Sequence, residues 1–129
     1  MNPASVDIKD RLVSQSVGTF ATDLFIGIMP ESPDACVSIR DMTGPPPELR
    51  YELDYPSIQI LIRGAKGAYP TAFAKAQAVH NALHGVVNTT INLTRYLLIS
   101  AAHSPAYLGD DSLNRPLFSI NFDVQRTTA

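Results

Sequence analysis

The chain has 129 residues, of which 45% are hydrophobic and 17% charged, and its net charge is −2. This length fits one domain, residues 1–129, with a single hydrophobic core, and the charged share lies below the roughly 25% of an average protein. The Lys and Arg residues are scattered, whereas DNA binding draws on clustered cations. The composition therefore argues against sequence-specific nucleic-acid binding and favours a surface that packs against other proteins.

The cysteine content and the N-terminal segment indicate the cellular compartment in which the protein is made. Cys36 is the only cysteine, so neither an internal disulfide nor a cysteine-based zinc site is expected. The N-terminal segment lacks a basic start followed by an apolar run, and no stretch approaches the roughly 20 apolar residues of a membrane span. We expect a protein made in a cytosol, without a membrane partner.

A first helix is predicted from Ser5 to about Ser16, with Ser5 as its cap and Gly18 as its stop. Its shared apolar face consists of Ile8, Leu12 and Val13. Two strands follow, at residues 24–29 and 35–41, and the turn between them predicts a hairpin with a longer loop. Gly44-Pro45-Pro46-Pro47 is predicted to be a stiff connector.

Residues 57–63 form the clearest strand of the first half, with Ile58, Ile60 and Ile62 on one side. A second helix is predicted from about Tyr69 to His84, ending at Gly85 in a left-handed cap. The apolar stripe of this helix is predicted to be Phe73, Ala76, His80 and Leu83.

Three strands are expected in the last third of the chain, at residues 86–92, 95–103 and 117–126. A turn-rich loop, 103–116, separates the last two. In the final strand, Phe118, Ile120, Phe122 and Val124 alternate with polar residues. The element order predicts an α+β fold with a mixed, mostly antiparallel sheet and two helices packed on one face.

The other sheet face is predicted to be polar but almost uncharged, with Ser57, Gln59, Ser119, Asn121 and Gln125. Such a face costs little to desolvate against a partner, and it is equally consistent with a solvated sheet surface.

Candidate chemical motifs are weak. His80 and His84 have metal-ligand spacing on a helix but lack the Glu of the zinc-hydrolase pattern, and a histidine on an apolar stripe is more often buried than a ligand. Gly64-Ala65-Lys66-Gly67 resembles a phosphate-cradling or RNA-clamping loop, although an ordinary strand-to-helix turn explains it better. No residues meet the requirements for an active site, and no cofactor or metal is expected.

Asp110 and Asp111 form a possible carboxylate pair in a cluster of turn residues that ends at Arg115. Pairing of either aspartate with Arg115 to brace the loop is a better explanation than catalysis.

Several short motifs occur together in an order that resembles the tail terminator proteins of long-tailed bacteriophages. The resemblance covers about residues 5–126. It includes a strand of the form Pro-x-hydrophobic-Gln-hydrophobic-x-hydrophobic-Arg-Gly, and the order and spacing of the motifs carry the resemblance rather than any one of them. The matching segments are Ile28-Met29-Pro30 with Pro33-Asp34, Val37–Asp41 with Gly44-Pro45-Pro46, Tyr55–Gly64, Leu83-His84-Gly85, and Gly109-Asp110 to Arg115 followed by Phe118–Phe122.

This resemblance implies an α/β domain without catalytic residues, of which six copies form a ring on the head-proximal end of the tail tube. The ring would stop tube growth and then dock to the connector of the filled head, and DNA would pass through its lumen without sequence-specific binding. The implied partners are therefore a second copy, the tail tube protein and the head-neck connector protein, at the tail-neck junction of a virion.

The candidate contact regions are the loop around Asp110, Asp111 and Arg115, and the segment 41–54. Arg63 and Arg95 are candidates to pair with those aspartates across subunits, and pairing within one subunit is equally open. A head-completion or stopper protein is the main alternative function, and a small nucleic-acid-binding module is a remote one.

Overall fold

One eight-stranded sheet and two helices make up the fold in the computed structural model, which describes residues 1–128. The elements in chain order are α1 Ala4–Ser14, β1 Leu24–Ile26, β2 Cys36–Met42, β3 Leu53–Asp54, β4 Ser57–Arg63, α2 Tyr69–Leu83, β5 Val86–Ile91, β6 Thr94–Ala101, β7 Ala106–Asp110 and β8 Pro116–Thr127. The α+β class predicted from the sequence is confirmed.

The long strand β8 organises the sheet. The strand order is β1-β2-β4-β8-β6-β5, and the short strands β3 and β7 also pair with β8. On one side, β8 pairs with β4 along Leu117–Asp123; on the other, β7 lies beside its first residues and β6 beside its last. Every pairing is antiparallel except that of β1 with β2. β8 therefore joins the β1-β2-β4 part of the sheet to the β6-β5 part.

Both helices pack on one face of the sheet and close a single core. The alternating side chains of β4 and β8 are fully buried there, as the sequence predicts. The residues that the two helices contribute to this core are Ala4, Ile8, Leu12, Ala72, Ala76, Val79 and Leu83. A core built from both helices and six strands gives the rest of the surface a rigid support.

The predicted hairpin between the first two strands is wrong, because β1 and β2 run parallel. Parallel neighbours need a connection that returns to the starting edge of the sheet, and the segment 27–35 makes that return without a helix of its own. Its carbonyl groups are bound by two buried arginines, Arg63 and Arg115. The two arginine side chains satisfy the backbone acceptors of the crossover, a task that helical hydrogen bonds or water perform in other proteins.

Both helices differ in detail from the sequence predictions. The α1 helix begins at Ala4, and Ser5 is buried and bonds to Asp41 instead of capping the helix. Val13 is exposed, and Ser16, rather than Gly18, takes the left-handed conformation that ends the helix (φ +59°). In α2 the buried stripe is Ala72, Ala76, Val79 and Leu83, so Phe73 and His80 lie off it. The left-handed Gly85 (φ +85°) is confirmed.

The region 103–116, expected to be a loop, contains a strand. Residues 106–110 form β7, which pairs with the start of β8 and has an irregular register at Gly109. On the second sheet face Asn121 and Gln125 are exposed as predicted, but Ser119, opposite Ala106 of β7, is buried. Within residues 1–128, neither helix has the length and apolar character required to cross a bilayer.

Candidate functional site

The turn between β7 and β8 is braced by an internal ion pair. Arg115 Nε donates to Asp111 Oδ2 at 2.8 Å, and the backbone N–H groups of Leu113 and Arg115 donate to Asp111 Oδ1 at 3.0 Å. Partial burial alone would raise the pKa of the Asp111 carboxyl, but these hydrogen bonds outweigh it and lower that pKa. The bracing role that the sequence offered for Asp111 and Arg115 is therefore present.

Arg115 also reaches the crossover between β1 and β2. Its Nη1 donates to Glu31 O at 2.7 Å and lies 3.2 Å from Asp34 Oδ1. Arg63 bonds the same segment, with Nε to Asp34 O and Nη2 to Pro33 O, both at 2.8 Å. Both arginine residues are about 95% buried. Arg63 fastens the crossover to β4 and Arg115 fastens it to the β7–β8 turn, which gives this end of the sheet a fixed shape.

Asp110 and Arg95, in contrast, face solvent. The Asp110 carboxylate accepts a 2.7 Å hydrogen bond from the hydroxyl of Tyr107, and Arg95 Nη2 donates to Asn88 Oδ1 at 2.9 Å. Among residues 1–128, neither takes part in an ion pair. Of the five charged residues proposed from the sequence, the structure joins only Asp111 with Arg115, and Asp110 and Arg95 present their charges outward.

An aromatic cluster that sequence reasoning missed lies beside Asp110. Tyr69 and Phe73 on α2 and Tyr107 on β7 surround the buried Phe118 of β8, with ring centroids 5.0–5.9 Å apart. The three outer rings are each 43–47% exposed. Apolar rings held half in water offer a large area for burial against a partner at little conformational cost.

This cluster and the exposed side chains that follow Tyr107 on β7 and in the next turn are together called the end surface. Leu108 on β7 and Leu113 in the adjoining turn are also exposed. In the described part of the chain β7 pairs only with β8, so its outer edge has free backbone groups. An open edge flanked by exposed apolar side chains is the typical signature of pairing with another chain. The end surface consists of Tyr69, Phe73, Tyr107, Leu108, Asp110 and Leu113.

A comparison with known protein families identifies the family of this chain. The sequence profile described as "Bacteriophage tail terminator protein" matches residues 11–128. The chain belongs to the bacteriophage tail terminator family. The resemblance read from the sequence is thereby confirmed, and membership of this family makes the chain a structural protein of a phage tail.

The fold of this terminator family member also occurs in a solved particle. A chain of the structure "Virion of native gene transfer agent (GTA) particle" superposes with a TM-score of 0.72 at 13% identity, covering 96% of both chains. At this identity the likeness concerns the fold alone. A search of curated protein sequences finds no match.

One cavity of this family member has a volume of about 250 Å³ and lies between β2, β4 and α2. Its lining includes four alanines and one valine, together with Cys36, Arg63 and Lys75. Burial raises the pKa of the Cys36 thiol, which keeps the sulfur in its less nucleophilic form. The cavity is smaller than the usual 300–1,000 Å³ of a ligand pocket, and its one thiol is not activated.

The histidine pair on α2 and the glycine-containing turn before it both have structural roles. The rings of His80 and His84 stack with centroids 5.0 Å apart, and His84 Nδ1 accepts the backbone N–H of Ala101 at 2.9 Å. Within residues 1–128, no three His, Cys, Asp or Glu side chains are grouped closely enough to hold a metal ion. Residues 64–67 connect β4 to α2, which is the strand-to-helix turn expected from the sequence.

Proposed function

We propose that the chain forms a ring of six copies on the head-proximal end of the tail tube. The ring stops the addition of tube subunits and then docks to the connector of the filled head. The observation that carries this proposal is the family match over residues 11–128. The exposed apolar end surface adds a physical means by which the chain associates with other protein.

Ring closure explains how one small domain ends polymerisation. A heterologous interface joins two different surfaces of the same chain, and it closes into a ring when the rotation per copy fits. A closed ring has two unlike faces, of which one matches the end of the tube and the other does not accept tube subunits. A stable contact of this kind buries roughly 1,600 Å². An aromatic side chain buries on the order of 150–250 Å² when it is fully covered, and the three rings of the end surface, each 43–47% exposed, retain somewhat less than half of that area for a partner.

The five charged residues divide into two roles in this proposal. Asp110 and Arg95 are exposed and contribute charge at the subunit boundary, where they favour one orientation of association over others. Asp111, Arg115 and Arg63 act from inside, because their bonds hold the β7–β8 turn and the crossover in one geometry. Preorganising a docking loop in this way reduces the entropy lost on binding.

The charge distribution is compatible with DNA passage through the lumen. The net charge is −2, and no basic cluster is present in the sequence, so the chain has little means to hold the phosphate backbone. We propose that the DNA meets the ring without sequence-specific contacts and that the partners are protein: a second copy, the tail tube protein and the head-neck connector.

Electron microscopy of tail tubes grown with and without the protein tests this function. We expect a density cap at one end of each tube and an arrest of growth when the protein is added, whereas tubes grown with the heat-unfolded protein elongate freely. Undecorated tubes of unchanged length refute the proposal. Binding to a head connector but not to tubes indicates a head-completion or stopper protein instead.

A further inference from the structure

The tip of the β5–β6 hairpin carries an exposed leucine in a costly conformation. Ile91 pairs with Thr94, so the loop is only Asn92-Leu93, and both residues have positive φ (+50° and +68°). Such two-residue turns favour Asn followed by Gly, because the left-handed region costs other residues about 1–2 kcal/mol. Leu93 is nevertheless 96% exposed. The strained backbone of Leu93 costs stability, and its solvent-exposed side chain makes no packing contact in its own chain to offset that cost.

The tip is held firmly in place by its neighbour. Asn92 Nδ2 donates to Asp7 Oδ1 at 2.9 Å and to Asp10 Oδ2 at 2.6 Å, which fastens the turn to α1. The hydrogen bonds from Lys9 and Asn92 lower the pKa of Asp10, so the carboxylate that holds the tip stays ionised. Leu93 is therefore presented outward on a rigid support.

The hairpin tip and the end surface lie at opposite ends of β8. Asp110 is in register with Pro116 at the start of that strand, and Tyr96, three residues after Leu93, is in register with Arg126 near its end. Ten residues of extended strand separate these two positions by about 33 Å. A contact between the two regions can therefore form only between different copies.

The two regions also have opposite free charges. Arg95 is next to the tip and exposed, and Asp110 lies in the end surface; neither is neutralised by an ion pair in the described part of its own chain. Opposite charges on two distant surfaces of one chain favour head-to-tail association over contact between like surfaces.

We propose that the hairpin tip of one copy docks on the end surface of a second copy. Leu93 lies against Tyr69 and Tyr107 of its neighbour, and Arg95 pairs with Asp110 across the boundary. The contact joins unlike surfaces, so it is the heterologous interface that a closed ring requires. This inference rests on the proposed function, since it names the surfaces through which the ring closes.

Three single variants test the contact: Leu93→Gly, Arg95→Glu and Asp110→Arg. Self-association is measured by sedimentation velocity from about 1 μM to about 1 mM, and ring formation on tube ends by electron microscopy. Each variant is expected to weaken association at least tenfold, since it removes the anchor or sets like charges together. Leu93→Gly is also expected to raise the melting temperature, because glycine relieves the left-handed strain. Loss of association with a gain in stability cannot come from damage to the fold.

Charge exchange supplies the second arm of the test. The double variant, Arg95→Glu with Asp110→Arg, is expected to associate again, and so is an equal mixture of the two single variants, because each tip then meets an opposite charge. Arg40→Glu, an exposed arginine on β2 far from both surfaces in the sheet order, is the control and is expected to associate like the wild type.

The outcomes separate this inference from the proposed function. Normal association of all three single variants, or failure of both charge exchanges to restore it, overturns the inference even if the wild type caps tubes. A wild-type chain that stays monomeric in solution and on tube ends also overturns it. Association through these residues without any capping of tubes refutes the proposed function and leaves the contact standing.

Discussion

Replacing Tyr96 by phenylalanine is expected to cost much of the stability of the domain. Tyr96 is fully buried, and its hydroxyl donates to the carboxylate of Asp7, which is itself completely buried. The same hydroxyl accepts a 3.3 Å hydrogen bond from Arg126 Nη1, and Arg126 Nε donates to Asp54 at 3.0 Å. One oxygen atom therefore connects α1, β6 and the end of β8, and the phenylalanine variant removes that atom while leaving the ring.

The expected loss of stability follows from the negative charge of the Asp7 carboxylate that accepts the hydrogen bond. A hydrogen bond to a charged group contributes about 1.5–3 kcal/mol, and a buried partner left without it adds to the loss. For a domain of this size 1 kcal/mol corresponds to roughly 3–5 °C in the melting temperature. We therefore expect Tyr96→Phe to lower the melting temperature by about 5–15 °C. The corresponding loss of about 1.5–3 kcal/mol is a sizeable share of a typical stability of about 5–15 kcal/mol.

A matched control uses the same chemical change at a more exposed carboxylate. The hydroxyl of Tyr55 donates to Glu48 Oε2 at 3.1 Å on a partly buried surface, where such a bond contributes less than about 1 kcal/mol. Calorimetry of both variants, with urea unfolding as a second measurement, gives the comparison. Equal losses for Tyr96→Phe and Tyr55→Phe would falsify the role assigned to burial.

Three further changes probe other parts of the fold. Ile60→Asp is expected to abolish cooperative unfolding in circular dichroism, because it places an unpaired charge in the core; a soluble variant with a sharp melting transition contradicts the inward direction of Ile60. The lowered pKa of Asp111 contributes stability that is fully present above about pH 4 and is lost as the pH falls through the pKa of the folded state. Asp111→Asn is therefore expected to make the free energy of unfolding depend less on pH on the acid side. An unchanged pH dependence argues against the brace with Arg115. Gly64→Ala places a methyl group 2.6 Å from Cβ of Ala72 and is expected to cost about 1–3 kcal/mol in denaturant unfolding; a neutral result contradicts the close approach of β4 to α2.

The sequence predicted the centre of the fold well. Strict alternation in residues 57–63 and 117–126 reflects one buried and one more open face, and both strands occur where that period predicts them. The second helix and its left-handed glycine were also predictable, because the proline at the first turn and the glycine after the last are local signals.

The parallel pairing of β1 with β2 could not be predicted from local patterns. A short connection normally indicates a hairpin, and the crossover depends on Arg63 and Arg115, which are distant in sequence from the segment that they bind. Bonds between residues about 30 and 84 positions apart leave no periodic signal. Both arginines were recognised as candidates, but their burial was not foreseen.

The end surface was only partly predictable. Asp110 was identified in its turn, whereas β7 was hidden by its short length and by Gly109 within a cluster of turn residues. Phe73 was assigned to the buried stripe of α2, although the true stripe is rotated onto Val79. A half-exposed ring and a buried ring look the same in a sequence, so the cluster around Phe118 needed the structure.

The network around Arg126 has a practical consequence for work with this protein. Arg126 Nη1 donates to the carbonyl of Asn2 at 2.9 Å, so the first and last described segments emerge side by side. A shallow depression there is bordered by Met1, Asn2, Thr128 and the hairpin turn with Leu93. A bulky label attached at Asn2 or Thr128 would lie beside that leucine and screen it, so assembly assays are best done without a label at these two positions.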